Sequence, residues 1–260
     1  MTSYETIRLT TDPSGVTHLV LNRPEKHNAI NAAMIRELTD AAKQLSSAPE
    51  VRAVVLSSSA NTFCAGGDLA WMREQFATTR AARIAEATSL GTMLRVIDEM
   101  PKLVIAIVQG PAYGGGVGLA SVCDIVLAAR EAKFALTETK LGLIPATIAP
   151  FLVARIGHGN ARRLALNASP FNAGEALAIG LVSEIHELHD LAGAMERHLA
   201  SALAAAPGAV AATKQLLRNV AEGTISHSET VEALADRWES EEARHGIEAF
   251  FSKKRPPWAP

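Results

Sequence analysis

Only two cysteines, Cys64 and Cys123, occur in the chain, and their separation fits no metal-ligand pattern. No disulfide framework and no cysteine metal site is expected. An excess of charge of one sign is also missing. The formal net charge of −2 gives no electrostatic reason to expect nucleic acid or a membrane surface as partner. No uninterrupted apolar run is long enough to span a bilayer. The first residues, Met1 to Ile7, lack the basic and then apolar run of a signal peptide. His186-Glu-Leu-His189 lacks the His-Glu-x-x-His spacing of a zinc site, so no metal is expected there. The expectation from these absences is a soluble, cytoplasmic protein with no nucleic-acid or membrane partner. What remains is ordinary for a globular chain: 48% apolar and 20% charged residues over 260 positions, enough for a sizeable core.

The stretch from Leu103 to Leu119 organises the rest. Leu103 to Val108 is an apolar run of strand length, and Gly110-Pro111 closes it as a turn. Gly114-Gly-Gly-Val-Gly118 follows and leads into a buried helix. Adjacent glycines leave backbone N–H groups uncovered at the positive end of a helix, which suits a developing negative charge. Twenty positions beyond Gly118 stands Glu138, a carboxylate in a largely apolar segment. Together these suggest an oxyanion-stabilising loop served by one carboxylate. A dinucleotide-binding Gly-x-Gly fits less well, because a turn intervenes after the strand and this is not the first βα unit.

Along the chain, Ile7 to Thr10 and Val16 to Asn22 read as a hairpin around Asp12-Pro-Ser-Gly15. Asn31 is a good N-cap for a helix through Leu45. Val51 to Ser57 reads as a buried strand, and Asn61 to Asp68 as a second glycine loop. Asp68 itself is placed to cap the helix that follows, which runs on to Met100 with a polar middle from Arg73 to Glu86. Further expected elements are a strand at Ile125 to Ala128, a helix from Ile148 to Ala168 broken at Gly157, and one from Ala173 to Ile179. From Leu191 the pattern turns wholly helical, with segments at 191–206, 209–220 and 229–251. The expected organisation is a core over 1–190 with a helical region over 191–260, whose broad apolar stripe needs something to pack on.

At the level of motifs the chain resembles the crotonase (enoyl-CoA hydratase/isomerase) superfamily over nearly its whole length. The motifs are Leu21 to Ile30, Phe63-Cys-Ala-Gly-Gly-Asp-Leu69, Gly110 to Leu119, Phe134 to Pro145 and Phe171 to Val182, in that order. Asp68 to Arg73, Leu141 to Pro150 and Phe251 to Trp258 look most like the methylglutaconyl-CoA hydratase branch. The resemblance implies an α/β fold, a spiral of ββα units with a helical C-terminal region that mediates trimerisation, commonly as a dimer of trimers. It implies an enoyl-CoA hydratase acting on an acyl-CoA, with coenzyme A carried by the substrate and no separate cofactor. By family position, the N–H groups of Ala65 and Gly115 hold the enolate oxygen and Glu138 moves the α-proton. Lys26, Ala29, Asp68 and Leu69 line the CoA channel, Gly66, Trp71 and Gly118 belong to the substrate-binding set with Trp71 as acyl-pocket wall, Tyr113 is one candidate to hold the water, and Phe250 and Lys253 reach the nucleotide end, often from a neighbouring subunit.

The chain departs from the family pattern at two places. Gly118 stands where two-glutamate hydratases carry their first glutamate, and Pro145-Ala-Thr-Ile148 replaces Pro-Gly-x-Gly. A lone glutamate also serves isomerases of the superfamily, so a Δ3,Δ2-enoyl-CoA isomerase is the alternative activity. A catalytically weak acyl-CoA-binding protein is the alternative class. A missing side chain at 118 is expected to leave room for a bulkier or carboxylated acyl group.

Overall fold

The computed structural model describes residues 4–259. Met1 to Ser3, within the first residues read above as lacking a signal peptide, and Pro260 lie outside the described residues. The expected hairpin is present as β1 (Ile7–Thr11) and β2 (Val16–Leu21), paired antiparallel. From β2 onward the chain repeats one move: a strand of the main sheet, a short extended piece, then a helix. The main sheet runs β1-β2-β3-β4-β6-β9, with β3 (Ala53–Ser58), β4 (Leu103–Val108), β6 (Ile125–Ala129) and β9 (Glu184–His186) parallel to β2. Parallel neighbours need long crossovers. These carry α1 (Ala32–Ser47), α2 (Leu69–Glu74), α3 (Arg80–Asp98) and α4 (Gly115–Ser121).

The short pieces after each main strand form a second layer. β5 (Ala112–Tyr113), β7 (Lys133–Ala135) and β8 (Phe171–Asn172) make a small sheet. Isolated bridges Cys64–Ala112 and Ile30–Gly67 extend it across both glycine loops. This is the α/β crotonase-type architecture expected. These pieces are two or three residues long and have no readable alternation, so the sequence shows them only as turns.

Helix starts follow their caps. The Asn31 side chain accepts from Met34 N–H at 2.9 Å and opens α1. The single helix expected from Leu69 to Met100 is two, because Thr79 caps a fresh start by accepting from Ala82 N–H at 3.1 Å. Further on come α5 (Ala149–Asn167), kinked at Gly157, and α6 (Ala173–Ala178). The expected helix over 229–251 also divides, into α9 (His227–Trp238) and α10 (Glu241–Ser252), with Ser240 capping the second.

Alternation along the central strands feeds two apolar layers. Val54, Leu56, Val104 and Ala106 join the large core shared with α1, α3, α4 and α5. Val55, Ile105 and Leu127 face the other side, where Leu191, Ala194, Leu199 and Leu203 of α7 (Leu191–Ala204) cover them. The boundary expected at 190/191 therefore falls inside a packed unit. The helices that stand apart are α8 (Pro207–Glu222), α9 and α10, where Ala249 is the one buried residue among those described.

Candidate active site

The two glycine loops meet edge to edge. Tyr113 N–H donates to the Cys64 carbonyl at 2.9 Å, and Cys64 N–H donates back to Pro111 at 3.2 Å. Gly66 and Gly114 both have positive φ, +93° and +46°. A Cβ on Gly66 would lie 3.0 Å from the Tyr113 carbonyl oxygen, and one on Gly116 would lie 2.6 Å from that of Cys64. Small residues occupy these positions because the backbones approach too closely for anything else.

The first loop is locked by polar contacts. Asp68 accepts from the N–H groups of Ala70 and Trp71 as the N-cap of α2 and pairs with Arg23 at 3.0 Å. Arg23 also donates to the Ala29 carbonyl at 2.6 Å. Asn28, in the left-handed region, accepts from Arg23 N–H and donates to the Thr62 carbonyl. Burial would raise the Asp68 carboxyl, but Arg23 and the two capping N–H groups outweigh it and hold the carboxyl below its usual range. Asp68 thus fixes loop shape, while Arg23, which the site assignment passed over, is its partner.

Donor availability corrects one assignment. Ala65 N–H is committed to the His27 carbonyl at 3.0 Å, so it is not free to meet a ligand. The loop's parallel bridge to Ile30 uses the carbonyl of Gly66 and the N–H of Asp68. In a parallel pair the intervening residue turns its own groups away, and Gly67 N–H has no acceptor among the described residues. The donor lies two residues beyond the expected one, a shift that follows from the register with Ile30 and leaves no mark in the sequence. On the second loop, Gly115 is the first residue of α4 and its N–H lacks an intrahelical acceptor. Ile30 links the two donors: its backbone bridges Gly67, and its Cδ1 would meet a Cβ on Gly115 at 2.8 Å.

Glu138 stands over the second loop. It opens a short 3-10 turn, Glu138–Leu141, which is pinned to α5 by the Thr139 hydroxyl donating to the Ala165 carbonyl at 3.1 Å. Its Oε1 lies 2.9 Å from where a Cβ of Gly114 would be. Its Oε2 is buried and has no hydrogen-bond partner among the described residues. Burial raises the Glu138 carboxyl above its usual range, opposed only by a hydrogen bond from its own backbone N–H. An unpartnered buried carboxylate is costly, and the common reason to keep one is proton transfer.

This constellation sits in a chain whose residues 11–260 match the enoyl-CoA hydratase/isomerase family. The chain belongs to that family. It is 38% identical to the solved structure of Pseudomonas aeruginosa AtuE, covering 98% of this chain and 100% of that one with a TM-score of 0.95. It is 31% identical to the crotonyl-CoA hydratase of Syntrophomonas wolfei over 97% of each chain. It is also 33% identical to the 1,2-epoxyphenylacetyl-CoA isomerase of Escherichia coli, over 93% of this chain and 94% of that one. A hydratase and an isomerase thus stand at similar distances, and identity does not choose between them.

The other expected site residues divide by position. Lys26 and Leu69 are exposed on the rim, Trp71 and Tyr113 are half-buried, and Ala29 is buried beneath Arg23. Gly118 is not the open room expected of it: a Cβ there would meet Ile148 Cγ2 at 2.5 Å, so an aliphatic side chain fills the space. Phe250 and Lys253 lie at the exposed end of α10, which packs on α9, and the structure does not bring them to the glycine loops of the same chain. Cys64 is fully buried, its thiol pushed up to about 12 by burial, and serves as packing. No group of three or more His, Cys, Asp or Glu side chains suited to a metal occurs among the described residues, and no helix there is long and apolar enough to cross a membrane.

Proposed function

We propose that the protein catalyses reversible addition of water to a 2-enoyl-CoA thioester. The N–H groups of Gly67 and Gly115 take the thioester oxygen as it becomes an enolate, and Glu138 moves the proton at the α-carbon. The observation that carries this is the buried, unpartnered Oε2 of Glu138 beside two loops that each offer a free N–H. One such donor is worth about 3 kcal/mol in the transition state. With a single carboxylate, Glu138 takes the proton of the attacking water and hands it to the α-carbon. No cofactor beyond the substrate's own CoA enters this scheme. The exposed apolar residues near the loops, Leu69, Leu141, Leu143 and Ile144, supply a surface for the acyl group. The 3-methylglutaconyl group is the substrate proposed from the branch motifs.

A second reading, Δ3,Δ2-enoyl-CoA isomerisation, is favoured by Ile148 over Gly118, since that reaction needs one carboxylate and no water. Loss of enone absorbance from crotonyl-CoA or 3-methylglutaconyl-CoA, against its gain from a 3-enoyl-CoA, separates the two. No change with any of these substrates, together with retained binding of acyl-CoA, would leave only a binding protein.

We also propose that the chain assembles as a trimer, or a dimer of trimers, through α8–α10. Leu217, Leu234, Trp238, Phe250 and Phe251 are each more than 60% exposed there, a face one chain leaves uncovered. In such an assembly Phe250 and Lys253 would serve a neighbour's site.

A further inference from the structure

Glu138 and Ile148, ten positions apart, both reach the first turn of α4. Gly114 is the N-cap of α4, and Gly118 stands one turn into the helix. A Cβ at the first would meet Glu138 Oε1 at 2.9 Å; at the second it would meet Ile148 Cγ2 at 2.5 Å, Ile148 Cβ at 3.2 Å and Leu94 Cδ1 at 3.8 Å. Glu138 and Ile148 thus stand at the two ends of the first turn of α4, which the Gly118 N–H closes by donating to the Gly114 carbonyl at 3.1 Å. Ile148 is 2% exposed and Leu94 is fully buried. The space over Gly118, one turn from the place where Glu138 meets Gly114, is filled by methyl groups. α5 braces both residues, since Ile148 is its N-cap and Ala165 near its far end holds the turn of Glu138.

We infer that Ile148 is a specificity-determining residue of this site: by filling the space over Gly118 it confines proton transfer to Glu138 and sets the balance between isomerisation and hydration. The inference rests on the enolate chemistry proposed above. In isomerisation Glu138 takes the C2 proton of a 3-enoyl-CoA, the double bond shifts to C2–C3, and the same proton returns to C4, so nothing enters from solvent. In hydration the hydroxide goes to C3 and its proton to C2, and the water must find a seat beside Glu138. Ile148 leaves the first reaction untouched and slows the second, in which Glu138 must seat the water alone. The two departures in sequence, Gly118 and Ile148, are then one exchange of volume.

Charged groups do not compete for this role. Lys140 on the same turn is exposed, Asp68 is paired with Arg23, and on α5 Arg155 bonds the Cys123 carbonyl while Arg163 pairs with Glu175. α4 carries no charged residue.

The test compares kcat/KM for hydration of crotonyl-CoA with kcat/KM for isomerisation of 3-hexenoyl-CoA. Ile148→Thr keeps the β-branch and adds a hydroxyl. It should raise the hydration-to-isomerisation ratio about 10-fold, the lower end of what a positioned proton-transfer partner supplies, and move the acid limb of the pH profile to lower pH. Ile148→Val, which adds no hydroxyl, should move the ratio and the limb less than Ile148→Thr does. Should Ile148→Thr fail to fold, Ile148→Ala reads the same ratio. Gly118→Glu alone should lose both activities through collision with Ile148, and adding Ile148→Gly should recover hydration preferentially. A folded Ile148→Thr with unmoved ratio and pH limb overturns the inference and makes Ile148 packing only. Glu138→Gln, assayed alongside, separates the two failures: turnover retained there overturns the acid–base chemistry itself.

Discussion

The loop that ends at Asp68 and the turn that begins at Glu138 each hold one carboxylate beside the same glycine contact, and they treat it in opposite ways. Asp68 is almost buried, yet it is given an arginine and two capping N–H groups. Glu138 keeps one oxygen buried with no partner among the described residues. The fold can plainly satisfy a carboxylate in this neighbourhood, so leaving Glu138 unsatisfied reflects its use rather than any shortage of donors. Asp68 stabilises the site's shape, and Glu138, in the function proposed, gives up stability for reactivity.

Glu138→Gln gives the sharpest contrast. It preserves shape and removes the proton carrier, so kcat on the best substrate should fall by about 10²–10⁴-fold with acyl-CoA affinity nearly unchanged. A variant retaining most of its kcat would end the single-carboxylate mechanism. Asp68→Ala should do the reverse in kind. It strips the cap of α2 and strands Arg23, at a cost of about 3 kcal/mol in unfolding free energy. Denaturant titration measures this, and a loss under about 0.5 kcal/mol would show the network to be ornamental.

The pH profile extends the comparison. Burial raises the Glu138 carboxyl, and Glu138 must be ionised to accept a proton from water or from C2. The acid limb of kcat/KM should therefore lie above the ordinary glutamate range of about 4.3. A limb at or below that value would mean the carboxylate is partnered in the working enzyme. Assembly is the mildest test, since it leaves both carboxylates in place. Sedimentation should show a trimer or hexamer at micromolar concentration, and a monomer would remove the proposed role of α8–α10.

Much of this was legible in the sequence, for identifiable reasons. Asn31, Asp68 and the glycine runs act locally, through caps and close backbone approach, so their roles can be read from neighbours in the chain. Glu138 was visible as a carboxylate in apolar surroundings. The donor on the first loop was not, because whether Ala65 or Gly67 keeps a free N–H depends on pairing with Ile30 across the fold. Ile148 was hidden for the same reason: its importance lies in touching Gly118, and nothing local announces that contact. The splits at Thr79 and Ser240 were available as caps and were overlooked because apolar spacing carried across them.

The smallest expected effect is a difference of sign. A carboxyl whose folded pKa is raised contributes stability that is fully present below its unfolded pKa and is lost as pH rises through the folded value. At neutral pH Glu138 is therefore a cost, and Glu138→Gln should unfold no more easily than the parent, with a gain of at most about 1 kcal/mol given partial solvent screening. That gain should shrink as pH is lowered toward the ordinary glutamate range. Asp68, held low, contributes stability above its unfolded pKa and loses it as pH falls through the depressed folded value. The deficit of Asp68→Asn should accordingly be largest at neutral pH and shrink in acid. Melting temperatures of the two variants against the parent, taken from pH 7 down to about pH 2, should converge on the parent from opposite sides, Glu138→Gln first and Asp68→Asn only below the ordinary aspartate value of about 3.9. If both variants lie below the parent at neutral pH, Glu138 is satisfied in solution by a partner, and the contrast between the two carboxylates fails.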